Sequence, residues 1–344
     1  MENLKYKKIL TKETIHRIEE IYRITITKSE QLFLGADSNT FVYKTKTKDN
    51  KTYFLKIRTG DFYESSIIIP HLLFEKTGKH IIDPVKTSDG DLYTTIDDNA
   101  VILYPFIYGT SGRESPFSGN QWIEFGKLLC EIHNTRLPEN TLSIPRESWN
   151  TKWQTQLKKI MKEIPNCDME NKYTQEFIEL LNTKNELLHE LTETSEKLIL
   201  KIKNGNYPFC LCHGDIHAGN ILMTGEDYFY VVDWDTLIMA PKERDLMFIG
   251  GGVANMWNRE DEEKEFYNGY GKNDDVDLEV LVYYRYIRII EDIVVYYEEF
   301  FRENNSGANK KAIIDRVESA FVPGGVVEMA LKAKGKYMYK GSYA

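Results

Sequence analysis

The chain has little that would tie it to nucleic acid or to a membrane. It lacks a basic excess: 44 Lys and Arg stand against 53 Asp and Glu, a net charge of −9. Nucleic-acid binders need basic patches, so that class is not expected. An acidic balance suits a cationic small molecule better. No apolar run reaches the ~20 residues of a membrane helix. Ile67-Ile68-Ile69 is cut by Pro70 and His71. Met1–Lys8 lacks an apolar leader, which sets the expectation of a cytoplasmic protein. Cysteine is scarce: Cys130, Cys167, Cys210 and Cys212. Disulfides are not expected in a reducing compartment. Cys210 and Cys212 lie beside His213, but no second ligand pair follows at zinc spacing. Two thiols on a buried strand are the expected reading. Internal repeats and low-complexity tracts are also lacking.

What is there is ordinary globular material, 42% hydrophobic and 28% charged over 344 residues. That length supports one large domain or two lobes with a sizeable core. The informative stretch is Leu211-Cys212-His213-Gly214-Asp215-Ile216-His217-Ala218-Gly219-Asn220, followed by Tyr228–Val232 and then Asp233-Trp234-Asp235. A polar turn is followed by a strand, and a second run of β-formers ends at an acidic pair. Asp215, Asn220 and Asp233 have the spacing of the phosphoryl-transfer template. Asp215 suits the group that orients and deprotonates the acceptor hydroxyl. Asn220 and Asp233 offer hard oxygens for Mg²⁺.

His213-Gly214-Asp215 with Asn220 and Asp233 resembles the aminoglycoside phosphotransferase family. Its members share the protein-kinase fold and carry Gly where protein kinases carry Arg. The stretch from Ala240 through Gly250-Gly251-Gly252 to Trp257-Asn258 is similar to the branch of that family acting on spectinomycin. The family resemblance covers nearly the whole chain; the narrower one is strongest from about Leu211 to Tyr297.

The resemblance implies an α+β, two-lobed, protein-kinase-like fold. A small β-rich N-terminal lobe (1–103) is expected to join a hinge (104–116). The larger, mainly helical C-terminal lobe (117–344) is expected to carry a helical insertion. Sequence patterns agree. Ile15, Ile18 and Ile21 predict a helix over Lys12–Tyr22. Strand-like runs follow to Ile107, and the stripe Phe177, Leu180, Leu181, Leu187, Leu188, Leu191, Leu198 and Ile202 marks helix across 168–206. The tail, Lys332–Ala344, is expected to fray.

The resemblance further implies ATP, with GTP left open, bound between the lobes with Mg²⁺. Lys56 is the expected α/β-phosphate lysine, with Arg58 as its local competitor. Glu64 is the chosen helix partner, ahead of Glu75. Ser38 and Asn39 belong to the loop over the phosphates, which lacks a full G-x-G-x-x-G. Backbone groups at Pro105, Phe106 and Ile107 are expected at the adenine edge, though Pro105 has no N–H. Leu222 and Val232 are expected as the apolar floor. His213 is expected to orient the catalytic loop, and Asp245 to brace it through backbone amides.

The implied substrate is a cationic aminocyclitol antibiotic, spectinomycin foremost. Asp235, Glu291 and Asp292 are the candidate carboxylates; intrahelical pairing with Arg285 and Arg288 is the alternative for the last two. Trp257 and Tyr270 are candidates for ring-face contacts, with ordinary core as the alternative. A metabolic small-molecule kinase (choline, ethanolamine, homoserine or sugar) and a non-catalytic nucleotide binder stay open, as does oligomeric state.

Overall fold

A computed structural model describes residues 9–33, 39–137, 143–164, 171–225, 228–271, 275–302 and 306–341. Packing divides the chain into two compact units, and neither is one stretch of sequence. Unit 1 is Met1–Pro116, Leu137–Pro145 and Gly219–Leu237; unit 2 is Phe117–Arg136, Arg146–Ala218 and Ile238–Ala344. The architecture is α+β, with an antiparallel sheet in the first and mainly helices in the second.

Unit 1 opens with α1 (Lys12–Tyr22), on the span its periodicity predicts. Thr11 caps it by accepting from the Thr14 amide, and Arg23 ends it in the left-handed region. Strands β1 (Ile26–Leu32), β2 (Thr40–Thr47) and β3 (Thr52–Arg58) follow. Helix α2 (Ser65–Thr77) then holds Pro70 within it, and β4 (Thr94–Ile96), β5 (Asn99–Pro105) and β6 (Thr110–Ser111) complete this stretch. The sheet order is β1-β2-β3-β5-β4. Leu55 and Ile57 point to one face of β3, where they bury against Ile18, Tyr22, Val101 and Leu103. Strand alternation therefore turns Phe54, Lys56 and Arg58 to the other face.

In unit 2, Ser118 and Gln121 form a capping box on α3 (Gly119–His133). Helices α4 (Lys152–Glu163), α5 (Lys172–Thr183) and α6 (Asn185–Ile202) follow. The long helical stretch expected over 168–206 is thus two helices, beginning at Lys172 among the described residues. Strand β7 (Cys210–Cys212) leads into the His213 turn.

The chain then returns to unit 1 for the hairpin β8 (Ile221–Thr224) and β9 (Tyr228–Val231). Residues 104–116, expected as a linker, also pack in unit 1; Thr110 and Ser111 of β6 pair with Met223 and Leu222. Residues 219–237, expected in the C-terminal lobe, fall in unit 1, where β8 and β9 form a separate three-stranded sheet with β6. The reason is pairing: the amide of Val231 donates to the His80 carbonyl, and the His80 ring stacks on Phe229.

Unit 2 resumes with β10 (Ile238–Ala240), paired to β7, and α7 (Glu243–Leu246). Helices α8 (Glu260–Tyr270), α9 (Leu278–Phe300), α10 (Gly307–Ser319) and α11 (Val326–Gly341) follow. The tail, expected to fray, is helical to Gly341. Helices α3 and α8 touch backbone to backbone. A Cβ on Gly269 would lie 1.9 Å from the Ile123 carbonyl oxygen, and one on Gly126 would lie 2.2 Å from that of Phe266. Trp122, Phe125, Trp257 and Phe266 fill the space around this crossing. Each buried aromatic there contributes about 1.5–3 kcal/mol of apolar burial.

Candidate active site

Unit 1 gathers one cluster of charge. Lys56 Nζ lies 2.7 Å from Asp235 Oδ2 and 3.9 Å from Asp233 Oδ1. Arg58 also reaches Asp235 Oδ2, at 2.8 Å. Both cations arrive on the same face of β3 because they are two residues apart in a strand. Arg58, the local competitor of Lys56, is therefore a second ligand to the same carboxylate. Asp235, expected against substrate, is instead engaged by this pair. Glu64, expected as the lysine's partner, sits just ahead of α2 and accepts a hydrogen bond from the Tyr93 hydroxyl.

The hairpin β8–β9 carries the two hard-oxygen residues. Ile221 is in register with Val231, and the Val232 amide donates to the Asn220 carbonyl at 2.9 Å. Asn220 and Asp233 therefore emerge at the same end of the hairpin. Asp233 has φ 65 and ψ 66, a left-handed conformation that Asp tolerates better than most side chains. It turns the chain into a short 3-10 segment, Trp234–Thr236. There Trp234 is buried, and its indole N–H donates to the Val231 carbonyl at 3.3 Å. An amide oxygen and a carboxylate are a donor set fitted to Mg²⁺ rather than to a soft metal.

Other expected nucleotide residues are also in unit 1. The Asn39 carbonyl accepts from the Thr59 amide at 2.9 Å; Ser38 lies outside the described residues. Pro105 ends β5 opposite Tyr53. The Phe106 amide donates to the Thr52 carbonyl at 3.1 Å, so it is already used. Ile107 is the next backbone group in line. Leu222 and Val232 are both half-buried on the hairpin.

Unit 2 holds Asp215. Arg288 Nη1 lies 2.7 Å from Asp215 Oδ1, and His217 Nε2 lies 3.5 Å from Oδ2. Burial pushes the Asp215 carboxyl up, but the His217 hydrogen bond and the Arg288 charge outweigh it and hold the group far below the carboxylate range. Arg288 Nε also lies 3.1 Å from Asp292 Oδ1. Burial raises the Asp292 and Glu291 carboxyls; Arg288 opposes it at both, and Arg244 as well at Glu291. Asp292 thus forms the intrahelical pair, and through Arg288 it is tied to Asp215.

Asp245 is fully buried and braces the turn. It accepts from the His213 amide at 2.8 Å and from the Gly214 amide at 2.7 Å. The His213 ring in turn accepts from the Asp215 amide at 3.3 Å. Behind Asp245 stands His133, 3.1 Å away. Burial works against a charged imidazole, but the Asp245 carboxylate prevails and holds His133 above its ordinary value. Of Trp257 and Tyr270, both expected against a substrate ring, Trp257 is buried in the core and Tyr270 is half-buried. Trp257 packs into the aromatic cluster of α3 and α8, while Tyr270 stacks on Phe266 and bonds His133 Nδ1 at 2.7 Å.

Sequence reasoning missed two partners. Arg288 was legible as part of an i,i+4 ion pair, but its reach to Asp215 depends on how α9 packs. His133 gave no signal beyond ending a helix.

Comparison with known proteins places the chain in a family. The model of the phosphotransferase enzyme family (APH) matches residues 33–281. The crystal structure of spectinomycin phosphotransferase APH(9)-Ia with ADP and spectinomycin is 35% identical, with TM-score 0.87, covering 95% of this chain and 99% of that one. Its AMP-bound complex is 33% identical, with TM-score 0.80 and coverage of 93% and 97%. Amicoumacin kinase hAmiN in complex with AMP-PNP, Ca²⁺ and Ami shares the fold at 15% identity, with TM-score 0.58 and coverage of 93% and 96%. No curated protein sequence matches the chain. The family model spans most of the chain and a relative 35% identical shares the fold over 95% of it: the protein belongs to the phosphotransferase enzyme family.

Proposed function

We propose that the protein transfers the γ-phosphate of ATP to a hydroxyl of a cationic aminocyclitol, spectinomycin foremost, in the cytoplasm. The observation that carries this reading is Lys56 Nζ at 3.9 Å from Asp233 Oδ1. It joins an ammonium suited to phosphate oxygens with a carboxylate suited to their metal. Asn220 and Asp233 would hold Mg²⁺, which neutralises charge on the β- and γ-phosphates. Lys56 would leave Asp235 in part to meet the α/β-phosphates, with Arg58 keeping Asp235 in place.

Asp215 acts on the acceptor hydroxyl. Its carboxylate is firmly ionised, so it is a weak proton acceptor in the ground state. Its work is to orient the hydroxyl and to take the proton late, as a loose phosphoryl-transfer transition state permits. Glu291 and Asp292 offer carboxylates to the acceptor's ammonium groups. The spectinomycin bound in a relative 35% identical supports that choice of acceptor.

Mass spectrometry of spectinomycin incubated with the protein and Mg-ATP tests the reading. One added phosphate is expected. Phosphate on choline, ethanolamine, homoserine or a sugar instead would make it a metabolic kinase. Mg-ATP binding with no product on any of them would make it a non-catalytic binder. Expression in a susceptible bacterium is expected to raise the inhibitory concentration of spectinomycin.

A further inference from the structure

Strand β7 presents a second chemistry, unrelated to phosphate. Alternation turns Leu211 one way and the thiols of Cys210 and Cys212 the other. Their sulfurs are 3.7 Å apart. His133, at the end of α3, brings a ring nitrogen to the same place: the three ligand atoms all lie within 4.8 Å of one another. Zinc binds thiolate at about 2.3 Å, and tetrahedral geometry then sets two sulfurs about 3.8 Å apart. The observed separation matches that bite. A sulfur and an imidazole nitrogen around one such ion are about 3.6 Å apart, so the ring has only a short distance to close.

We infer that Cys210, Cys212 and His133 form a binding site for a soft divalent cation of the zinc type, with a fourth position left to water. The thiols give up little to bind it. Their bonds to the Ala240 and Pro241 carbonyls are long, at 3.5 to 3.7 Å. Cys210 is partly exposed and offers the way in; Cys212 is buried. Cys210 is therefore the first thiol an arriving ion meets. Both thiol protons pass to solvent on binding, with a third from His133 where the ring is charged.

The site is tied to the His213 turn. His133 now spends Nδ1 on Tyr270 and Nε2 on Asp245. A metal bond to either nitrogen breaks one of these contacts. Asp245 holds the His213 and Gly214 amides, and Cys212 runs directly into that turn. Loading the site therefore pulls on the support of the loop bearing Asp215. This last step alone rests on the proposed function.

Titration of the full chain with Cd²⁺ or Co²⁺ tests the inference. A thiolate-to-metal charge-transfer band saturating at one ion per chain is expected. Proton release in weak buffer and protection of both thiols from iodoacetamide should accompany it. Cys210→Ser and Cys212→Ser should each abolish the band, His133→Asn should weaken binding, and Cys130→Ser should leave it intact. Absence of the band, or alkylation of Cys210 unaffected by metal on the unaltered chain, overturns the site without any variant needing to fold. Spectinomycin phosphorylation is a separate readout; its failure would leave the band untouched.

Discussion

Arg288 donates to Asp215 from a helix 73 residues further along the chain, at 2.7 Å. Both side chains are largely withdrawn from water. The pair keeps the carboxylate ionised and aimed while no acceptor is bound. Asp215→Ala should lower kcat about 10²–10⁴-fold while nucleotide still binds, the range for losing a positioned base. Arg288→Gln should do something different. It removes the guanidinium, so the Asp215 carboxyl moves up toward its ordinary value.

The sign of that effect on stability follows from the depressed carboxyl. The Asp215 contribution is present above the ordinary Asp value of about 3.9 and is lost as pH falls through the depressed native one. Denaturant midpoints of Arg288→Gln and the parent should therefore differ at pH 7, by about 2 kcal/mol for a charged hydrogen bond. The difference should shrink in strong acid. A constant offset at all pH values would count against the pair.

In the Lys56–Asp233–Asp235 cluster, proposed to meet the nucleotide, Lys56→Ala should weaken Mg-ATP binding by roughly 10–100-fold, the worth of a charge-assisted hydrogen bond of about 1.5–3 kcal/mol. Asp235→Asn should weaken it less and should instead loosen Lys56 and Arg58, which that carboxylate holds together. Isothermal titration with a non-hydrolysable ATP analogue separates the two.

Asp245 offers the largest single loss. Replacing it by Ala strands the buried His213 and Gly214 amides and leaves His133 without its counter-ion. Breaking a buried pair from one side costs about 3–5 kcal/mol. The His133–Asp245 pair also has a pH window. Asp245 is held below its ordinary value and His133 above. The contribution is full between about pH 4 and about pH 6.5, the ordinary values of the two groups. It fades in acid through the lowered Asp245 value and in base through the raised His133 value. Denaturant midpoints of His133→Asn against the parent across pH should trace that window.

Gly269→Ala is a steric test. Alanine normally favours a helix over glycine by about 1 kcal/mol. Here its methyl would meet the Ile123 carbonyl oxygen at 1.9 Å. A net loss of about 1–3 kcal/mol is expected, as for an overpacked contact, seen as a lower urea midpoint. A gain would show that α3 and α8 separate easily.

The proposed catalytic motif could be named from the sequence because its residues are local. Asp215, Asn220 and Asp233 lie within one strand-turn-strand segment, where spacing alone carries meaning. The alternation of β3 gave Lys56 and Arg58 a common face, and that face is where both now meet Asp235. Partners across the chain were less legible. Glu64 looked suited to Lys56 by family pattern, yet it bonds Tyr93, and Asp235 takes the lysine. Trp257 and Tyr270 carried no periodic signal to separate core from contact; the burial of Trp257 beside the close crossing at Gly126 and Gly269 depends on how α3 and α8 pack. The unit boundaries were hidden for the same reason, since a hairpin late in the chain pairs with residues near its beginning.

Trp234 gives the first unit an optical handle. It is the single tryptophan of unit 1 among the described residues, buried between Asp233 and Asp235 with its indole N–H on the Val231 carbonyl. With Trp122, Trp149, Trp153 and Trp257 changed to Phe, all remaining indole emission would come from beside the two carboxylates. Its quenching or spectral displacement on adding nucleotide would then read out events at that hairpin directly, with no label attached.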